Sequence, residues 1–328
     1  MSNMVATNRS DSTLTVPPRQ VRQTFMDFDL ELDLGNLQAD IVILGLPYGD
    51  PYNIDEVTND QTNAPTAIRQ ASRKASGGLE RWDFDIGGTL FNGKSIRVVD
   101  CGDVIGNPRN LQEHYDHAEQ AVRLILRSGA MPIILGGDHG VPIPVLRAFE
   151  NTGPITLVQV DAHLDWVDQK FDGVREGYSS PMRRASEMDH IDEIFQIGLR
   201  GQGSGRQQEI EAANEYGAHL ITDLELQDHG MDHVLSKIPP GGLYYLTIDA
   251  DGLDPSVMMP AVAGPAPGGL TYPQARKLIH GLVSKGRVVG MDIVEITPAR
   301  DINQISAITA TNLILNMIGK CVRAGYFD

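Results

Sequence analysis

Eight short runs of apolar, largely β-branched residues punctuate this 328-residue chain. They are residues 40–47 (DIVILGLP), 95–103 (SIRVVDCGD), 131–139 (MPIILGGDH), 155–163 (ITLVQVDAH), 194–201 (IFQIGLRG), 218–226 (AHLITDLEL), 243–251 (LYYLTIDAD) and 287–296 (RVVGMDIVEI). Most are continuous rather than alternating, the pattern of strands covered on both faces. Between them lie segments with helical spacing of apolar positions, among them 111–129, 271–286 and 302–323. Strand alternating with helix predicts an α/β unit around a parallel sheet. The pattern leaves an open sheet and an eight-stranded barrel as alternatives. Polar residues gather at the C-terminal ends of the runs: Asp103, Asp138, His139, Asp161 to Asp165, Asp249 to Asp254, and Glu295. In parallel α/β sheets these ends line the ligand crevice, so five segments deliver acids or imidazoles to one edge.

Composition narrows the partners. With 41% hydrophobic residues the chain can bury a large core. A formal net charge of −16 argues against holding a phosphate backbone, so no nucleic-acid partner is expected. The two cysteines, Cys101 and Cys321, form neither a disulfide framework nor a CxxC site, which fits a reducing cytoplasm. No membrane association is expected, because the N-terminal stretch is polar and no run approaches the ~18 apolar residues of a span. Residues 1–37 are expected to form an N-terminal arm and residues 38–328 a single domain.

Three motifs carry metal chemistry: GGDHG (136–140), DAHLD (161–165) and DADGLD (249–254). On extended backbone, positions i, i+2 and i+4 face one way. Asp161, His163 and Asp165 thus begin on one face, and so do Asp249 and Asp251. With His139 they make six ligand candidates, four carboxylates and two imidazoles. So many carboxylates in one place repel unless cations hold them. One ion does not need so many ligands, whereas two ions sharing a bridging carboxylate use them naturally. Mixed oxygen and nitrogen donors suit Mn²⁺, and also Ni²⁺, Co²⁺ or Zn²⁺. Asp254, before Pro255, reads as a turn cap. His190, His229 and His233 read as solvated, and the helical pair His114 and His117 as incidental.

GGDH, DAHxD and xDxDxxDP in this order resemble the ureohydrolases, the family of arginase and agmatinase, over residues 38–326. GPAPGGLTYPQA (264–275) and GMDIVEITPARD (290–301) look like the agmatinase branch. The resemblance implies a three-layer α/β/α fold with a central eight-stranded parallel sheet, and hence the open sheet rather than the barrel. It implies one divalent ion on His139, Asp161, Asp165 and Asp249, and a second on Asp161, His163, Asp249 and Asp251. The implied reaction is hydrolysis of a cationic guanidino substrate to urea, or a substituted urea, plus an amine. Asp165 would orient the attacking hydroxide, and Glu295 would bind the guanidinium. Family members usually form trimers or hexamers, so a homo-oligomer is implied.

Three departures from the family pattern concern the substrate. EGYSSPMRRA (176–185) puts Tyr178 where the family has a proton-shuttling His, and leaves Glu176 as an alternative group for proton transfer. A phenol of ordinary pKa near 10 donates hydrogen bonds at neutral pH rather than shuttling protons. The segment 48–72 is long and acidic, with Asp50, Asp55, Glu56 and Asp60, and Gly140 stands where a Ser is usual. Agmatine, a guanidino acid, guanidine, or an alkylated guanidine or biguanide such as metformin are all compatible. A carboxylate-tailed substrate would want an Arg, and Arg175, Arg200 and Arg206 are the options. The alternatives are an amide deacetylase on the same fold, and a weakly active metal-binding subunit supporting an active paralogue in a hetero-oligomer.

Overall fold

Residues 16–50, 59–107, 109–170, 173–203, 205–259 and 266–328 are described by the computed structural model. Their strands are β1 (Asp29–Leu30), β2 (Ile41–Leu46), β3 (Val98–Asp103), β4 (Met131–Gly136), β5 (Ile155–Val160), β6 (Ile191–Leu199), β7 (His219–Thr222), β8 (Leu243–Asp249) and β9 (Arg287–Val294). The helices are α1 (Ala64–Ser76), α2 (Leu111–Arg127), α3 (Pro142–Ala148), α4 (Pro181–Ala185), α5 (Gln207–Tyr216), α6 (Asp223–Lys237), α7 (Tyr272–Lys285) and α8 (Ile305–Arg323). All nine strands join one open sheet in the order β1-β3-β2-β4-β9-β8-β5-β6-β7, and every pairing is parallel.

The continuous apolar runs are explained by two cores, one on each sheet face. Along β2, Ile41 and Ile43 pack with residues of α1, α7 and α8, while Val42, Leu44 and Leu46 pack with residues of α2 and α3. Both alternate sets are buried, so no polar face remains to break the run. The result is a three-layer α/β/α sandwich. The segment Ile302–Arg323, which contains α8, is long and apolar enough to cross a membrane, but 78% of its 18-residue apolar stretch is buried, because α8 is a core helix of one layer.

Two expectations are revised. The sheet has a ninth strand, β1, which pairs with β3 through Asp29 and Leu30. It is a two-residue edge strand with one face exposed, too short to show as an apolar run. It falls within the expected N-terminal arm, residues 1–37, where Phe25, Met26 and Leu34 are also buried in the cores. The backbone N–H of Phe25 donates to Asp100 at 2.7 Å, which ties this segment to β3. The run 218–226 is strand only as far as Thr222. There the Thr222 hydroxyl accepts from the Glu225 N–H and caps α6, so the apolar Leu226 belongs to a helix.

Candidate metal centre and substrate crevice

The four central strands of the sheet, adjacent in the order β4-β9-β8-β5, end at one place. Beyond β4 comes His139, beyond β9 Glu295, at and beyond β8 Asp249 and Asp251, and beyond β5 Asp161, His163 and Asp165. The His139 Nδ1 atom lies 2.9 Å from Asp161 Oδ2, 2.9 Å from Asp165 Oδ2 and 3.1 Å from Asp249 Oδ2. His163 Nδ1 lies 3.1 Å from Asp251 Oδ2 and 3.5 Å from Asp161 Oδ1. Two groups able to hold an ion result, His139–Asp161–Asp249 and Asp161–His163–Asp251, joined at Asp161. Asp165 approaches the first. His139, Asp161, Asp249 and Asp251 are buried, Asp165 is partly buried, and the His163 side chain is 36% exposed.

Backbone features hold these positions. Asp165 and Glu295 are both left-handed, with φ of 56° and 63°. A non-glycine residue there costs on the order of 1–3 kcal/mol and persists only where its surroundings impose it. Gly252 lets the turn after β8 press against the end of β5. A Cβ at 252 would stand 2.6 Å from the Asp161 backbone nitrogen. Gly140 has a comparable reason: a Cβ there would stand 2.1 Å from the Tyr115 hydroxyl.

The chemistry of the donors tests whether they fit a metal. His139 Nε2 lies 3.1 Å from the Thr247 hydroxyl, which itself donates to Asp292 at 2.7 Å. Asp292 also accepts from the Tyr245 phenol at 2.7 Å. Burial pushes the Asp292 carboxyl up to about 6, so it remains an acceptor at neutral pH. Thr247 must therefore accept from His139 Nε2–H, so Nδ1 faces three carboxylates and holds a proton in the chain alone or offers its lone pair to an ion. Nδ1 is buried and makes no hydrogen bond of acceptable geometry there. A lone pair among carboxylates is repulsive unless a cation sits between them, so the donor set fits a divalent ion. Behind Asp161 a second relay runs through amides. Trp166 Nε1–H donates to Gln196, Gln196 donates to Gln159, and Gln159 donates to Asp161 Oδ2 at 2.6 Å.

The electrostatics of the chain alone show the same demand for cations. Burial and the Asp161 charge raise Asp165 to about 7; burial and the Asp138 charge raise Glu295 to about 8. Hydrogen bonds to Asp161 and Asp251 raise His163 to about 12. Burial alone would lower His139, but Asp161, Asp165 and Asp249 outweigh it and hold the ring well above its usual value. Each raised group binds more protons folded than unfolded, so its stabilising contribution is present at low pH and lost as pH climbs through the folded value. We therefore expect chelator-stripped protein to lose stability as pH rises from 6 to 9. The expected slope is at least one proton, about 1.4 kcal/mol per pH unit. Saturating divalent metal should raise the melting temperature and flatten that slope. Denaturant titrations across pH, with and without metal, read both. A stripped protein whose stability rises over this range would contradict the assignment.

Glu295 lies at the edge of this cluster. Its Oε1 accepts from the His139 N–H at 2.9 Å and its Oε2 from Gln61 Nε2 at 2.6 Å. Tyr178 is half-buried nearby. Burial raises its phenol, and the charges of Asp50, Asp138 and Glu295 add to that against the opposing effect of Lys170. Lys170 Nζ sits 4.4 Å from the Tyr178 ring centroid and pairs with Asp50 at 2.7 Å. Glu176 is not brought to the cluster, because its carboxylate pairs with Arg147 of α3. The three arginines are committed elsewhere too. Arg175 pairs with Asp168 and Glu187. Arg200 donates to the carbonyls of Gly198, Asp251, Ala266 and Pro267, and Arg206 caps α5. Asp254 caps its turn as expected, accepting from the Ser256 N–H at 2.9 Å. His114 is buried and stacked on Tyr48, away from both groups. Asp55 and Glu56 lie outside the described residues.

The residues that sequence reading missed are Gln61, Thr247, Asp292, Gln159, Gln196, Trp166 and Lys170. Two left a signal. Gln159 and Thr247 are polar positions inside apolar runs, two residues before Asp161 and Asp249 and on the same strand face. A cleft of about 770 Å³ lies away from these groups, beside α2 and α3, lined among others by Asp116, Arg123, Arg147 and His190. Donor chemistry, not cavity size, locates the site.

An open parallel α/β/α sheet ending in two joined His/Asp groups defines a metal-dependent hydrolase of the ureohydrolase class. The chain belongs to the arginase family, whose model matches residues 39–319. It is 34% identical over 305 residues to the agmatinase of Sodalis glossinidius (strain morsitans), covering 90% of this chain and 91% of that protein. Among solved structures it is similar to the proclavaminate amidino hydrolase of Streptomyces clavuligerus, with a TM-score of 0.78 at 26% identity, covering 93% of this chain and 98% of that one. The agmatine ureohydrolase of Thermoplasma volcanium superposes with a TM-score of 0.72 at 27% identity, covering 88% and 92%.

Proposed function

We propose that this protein hydrolyses a guanidino compound to urea, or a substituted urea, and an amine. The observation that carries the reading is Glu295, a carboxylate 3% exposed beside the two ligand groups. Burial opposes its charge, and a bound cation reverses that opposition. A guanidinium meets the need, because its parallel N–H groups pair with one carboxylate. His139, Asp161, Asp165 and Asp249 would hold one divalent ion, and Asp161, His163, Asp249 and Asp251 the other. Mn²⁺ suits this oxygen-rich set best and Ni²⁺ next. When bound, the ions supply a strongly acidified water as nucleophile at neutral pH.

The chain's own residues do the rest. Glu295 fixes the plane of the guanidinium. Asp165 takes the proton that the attacking water loses and returns it to the departing nitrogen. The carbon gains one oxygen, one C–N bond breaks, and the amine leaves. Tyr178 stays neutral and donates a hydrogen bond at the crevice. The reading extends to residues 38–328 as the catalytic unit and to a cytoplasmic homotrimer or hexamer, with mass measurement as the check on assembly. Urea release from agmatine, guanidinobutyrate, guanidine and dimethylbiguanide, after Mn²⁺ or Ni²⁺ loading, tests the reaction. No turnover of any of them would refute it.

Tyr178→Phe is expected to change kcat/KM by about two- to tenfold, the range of one neutral hydrogen bond of roughly 0.5–1.5 kcal/mol. Metal content and melting temperature should stay at the parent's values. Tyr178→His introduces a group that titrates near neutrality and should shift relative preference within the same panel. If both variants match the parent on every compound, Tyr178 only packs.

A further inference from the structure

Gln61 is polar, fully buried and unexplained by the metal groups. Its amide nitrogen donates to Glu295 Oε2 at 2.6 Å, which turns the amide oxygen the other way. That oxygen, Oε1, is buried and has no hydrogen-bond partner among the described residues. A buried acceptor left unmatched is costly, and such groups in a folded protein call for a reason. The neighbouring residues supply one. Thr62 and Asn63, but not Gln61 itself, line a cleft of about 340 Å³ together with Tyr48 and Gly49, so open space begins one residue along the chain from Gln61.

We infer that Gln61 is a substrate-binding residue whose Oε1 accepts an N–H of the guanidinium that Glu295 holds. The inference rests on the guanidino reading above. A guanidinium carries more N–H donors than one carboxylate edge can accept. Once it leaves water, each remaining donor needs an acceptor. Gln61 Oε1 and that donor satisfy one another, while the Gln61 N–H keeps Glu295 in place. The substrate class follows: guanidino compounds that retain an N–H on the nitrogen facing Gln61, with full alkylation there refused.

Two variants of the metal-loaded chain test this, with guanidinium chloride as the binding probe and the best-hydrolysed panel compound as substrate. Gln61→Met keeps the shape and removes both donor and acceptor. Gln61→Glu keeps an acceptor at the same place. Met should weaken guanidinium binding about tenfold or more, the range of a hydrogen bond to a charged group. The loss should fall mainly on KM, with metal content unchanged. Glu, which keeps the acceptor but loses the N–H that Glu295 accepts, should fall between Met and the parent. The inference is overturned if Met binds guanidinium within twofold of the parent. It is also overturned if Met and Glu are equally impaired, since Gln61 then only supports Glu295. Failure of the parent itself to bind guanidinium or to turn over any guanidino compound would refute the guanidino reading instead.

Discussion

Asp161→Asn is expected to abolish the binding of both ions and to lower hydrolysis on the order of a thousandfold. Asp161 is the residue shared by the two ligand groups, and it is fully buried. Its Oδ2 faces His139 at 2.9 Å, and its Oδ1 faces His163 at 3.5 Å. An amide offers one neutral oxygen in place of two charged ones, so neither group remains complete. Removing one partner from a buried charged set costs about 3–5 kcal/mol, and about 1.4 kcal/mol is a factor of ten in rate. His163→Ala supplies the contrast, because His163 belongs to one group only. Metal analysis should find that variant depleted in one ion and Asp161→Asn depleted in both. Two ions retained by Asp161→Asn would show that Asp161 does not bridge.

Glu295→Gln is expected to lower kcat/KM by about 1.5–3 kcal/mol, roughly ten- to a hundredfold, with metal content unchanged. The substitution keeps the size but removes the charge. It also disturbs the ground state, because Glu295 accepts from two protein donors, His139 N–H and Gln61 Nε2–H. A glutamine has one acceptor oxygen, so its own NH₂ must face one of those donors. The decisive comparison is between turnover and metal content. Activity within a few-fold of the parent would remove Glu295 from substrate recognition. Loss of metal together with activity would show that Glu295 acts through the His139 backbone instead.

The ligand groups were legible in the sequence because each ends an apolar run, and a strand's period of two puts DAHLD and DAD on fixed faces. The parallel α/β class was legible for a related reason: strands buried on both faces are continuously apolar. The short edge strand β1 was not, since two residues carry no periodicity. Nor was the helical end of the run 218–226, where a Thr222 cap overrode the apolar pattern. Glu176 and the three arginines look equally available to substrate in one dimension, and only the folded chain shows them paired elsewhere. Chain order could not reveal that β4, β9, β8 and β5 lie side by side, which is what brings His139, Glu295, Asp249 and Asp161 together. Nor could it reveal the hydrogen bonds from Gln61, which is 234 residues from Glu295 along the chain. Local pattern thus determined which residue types stand at strand ends and which way they begin to point. Strand order, left-handed backbone at Asp165 and Glu295, and the partners behind each ligand were decided by tertiary packing, because each depends on contacts between distant segments.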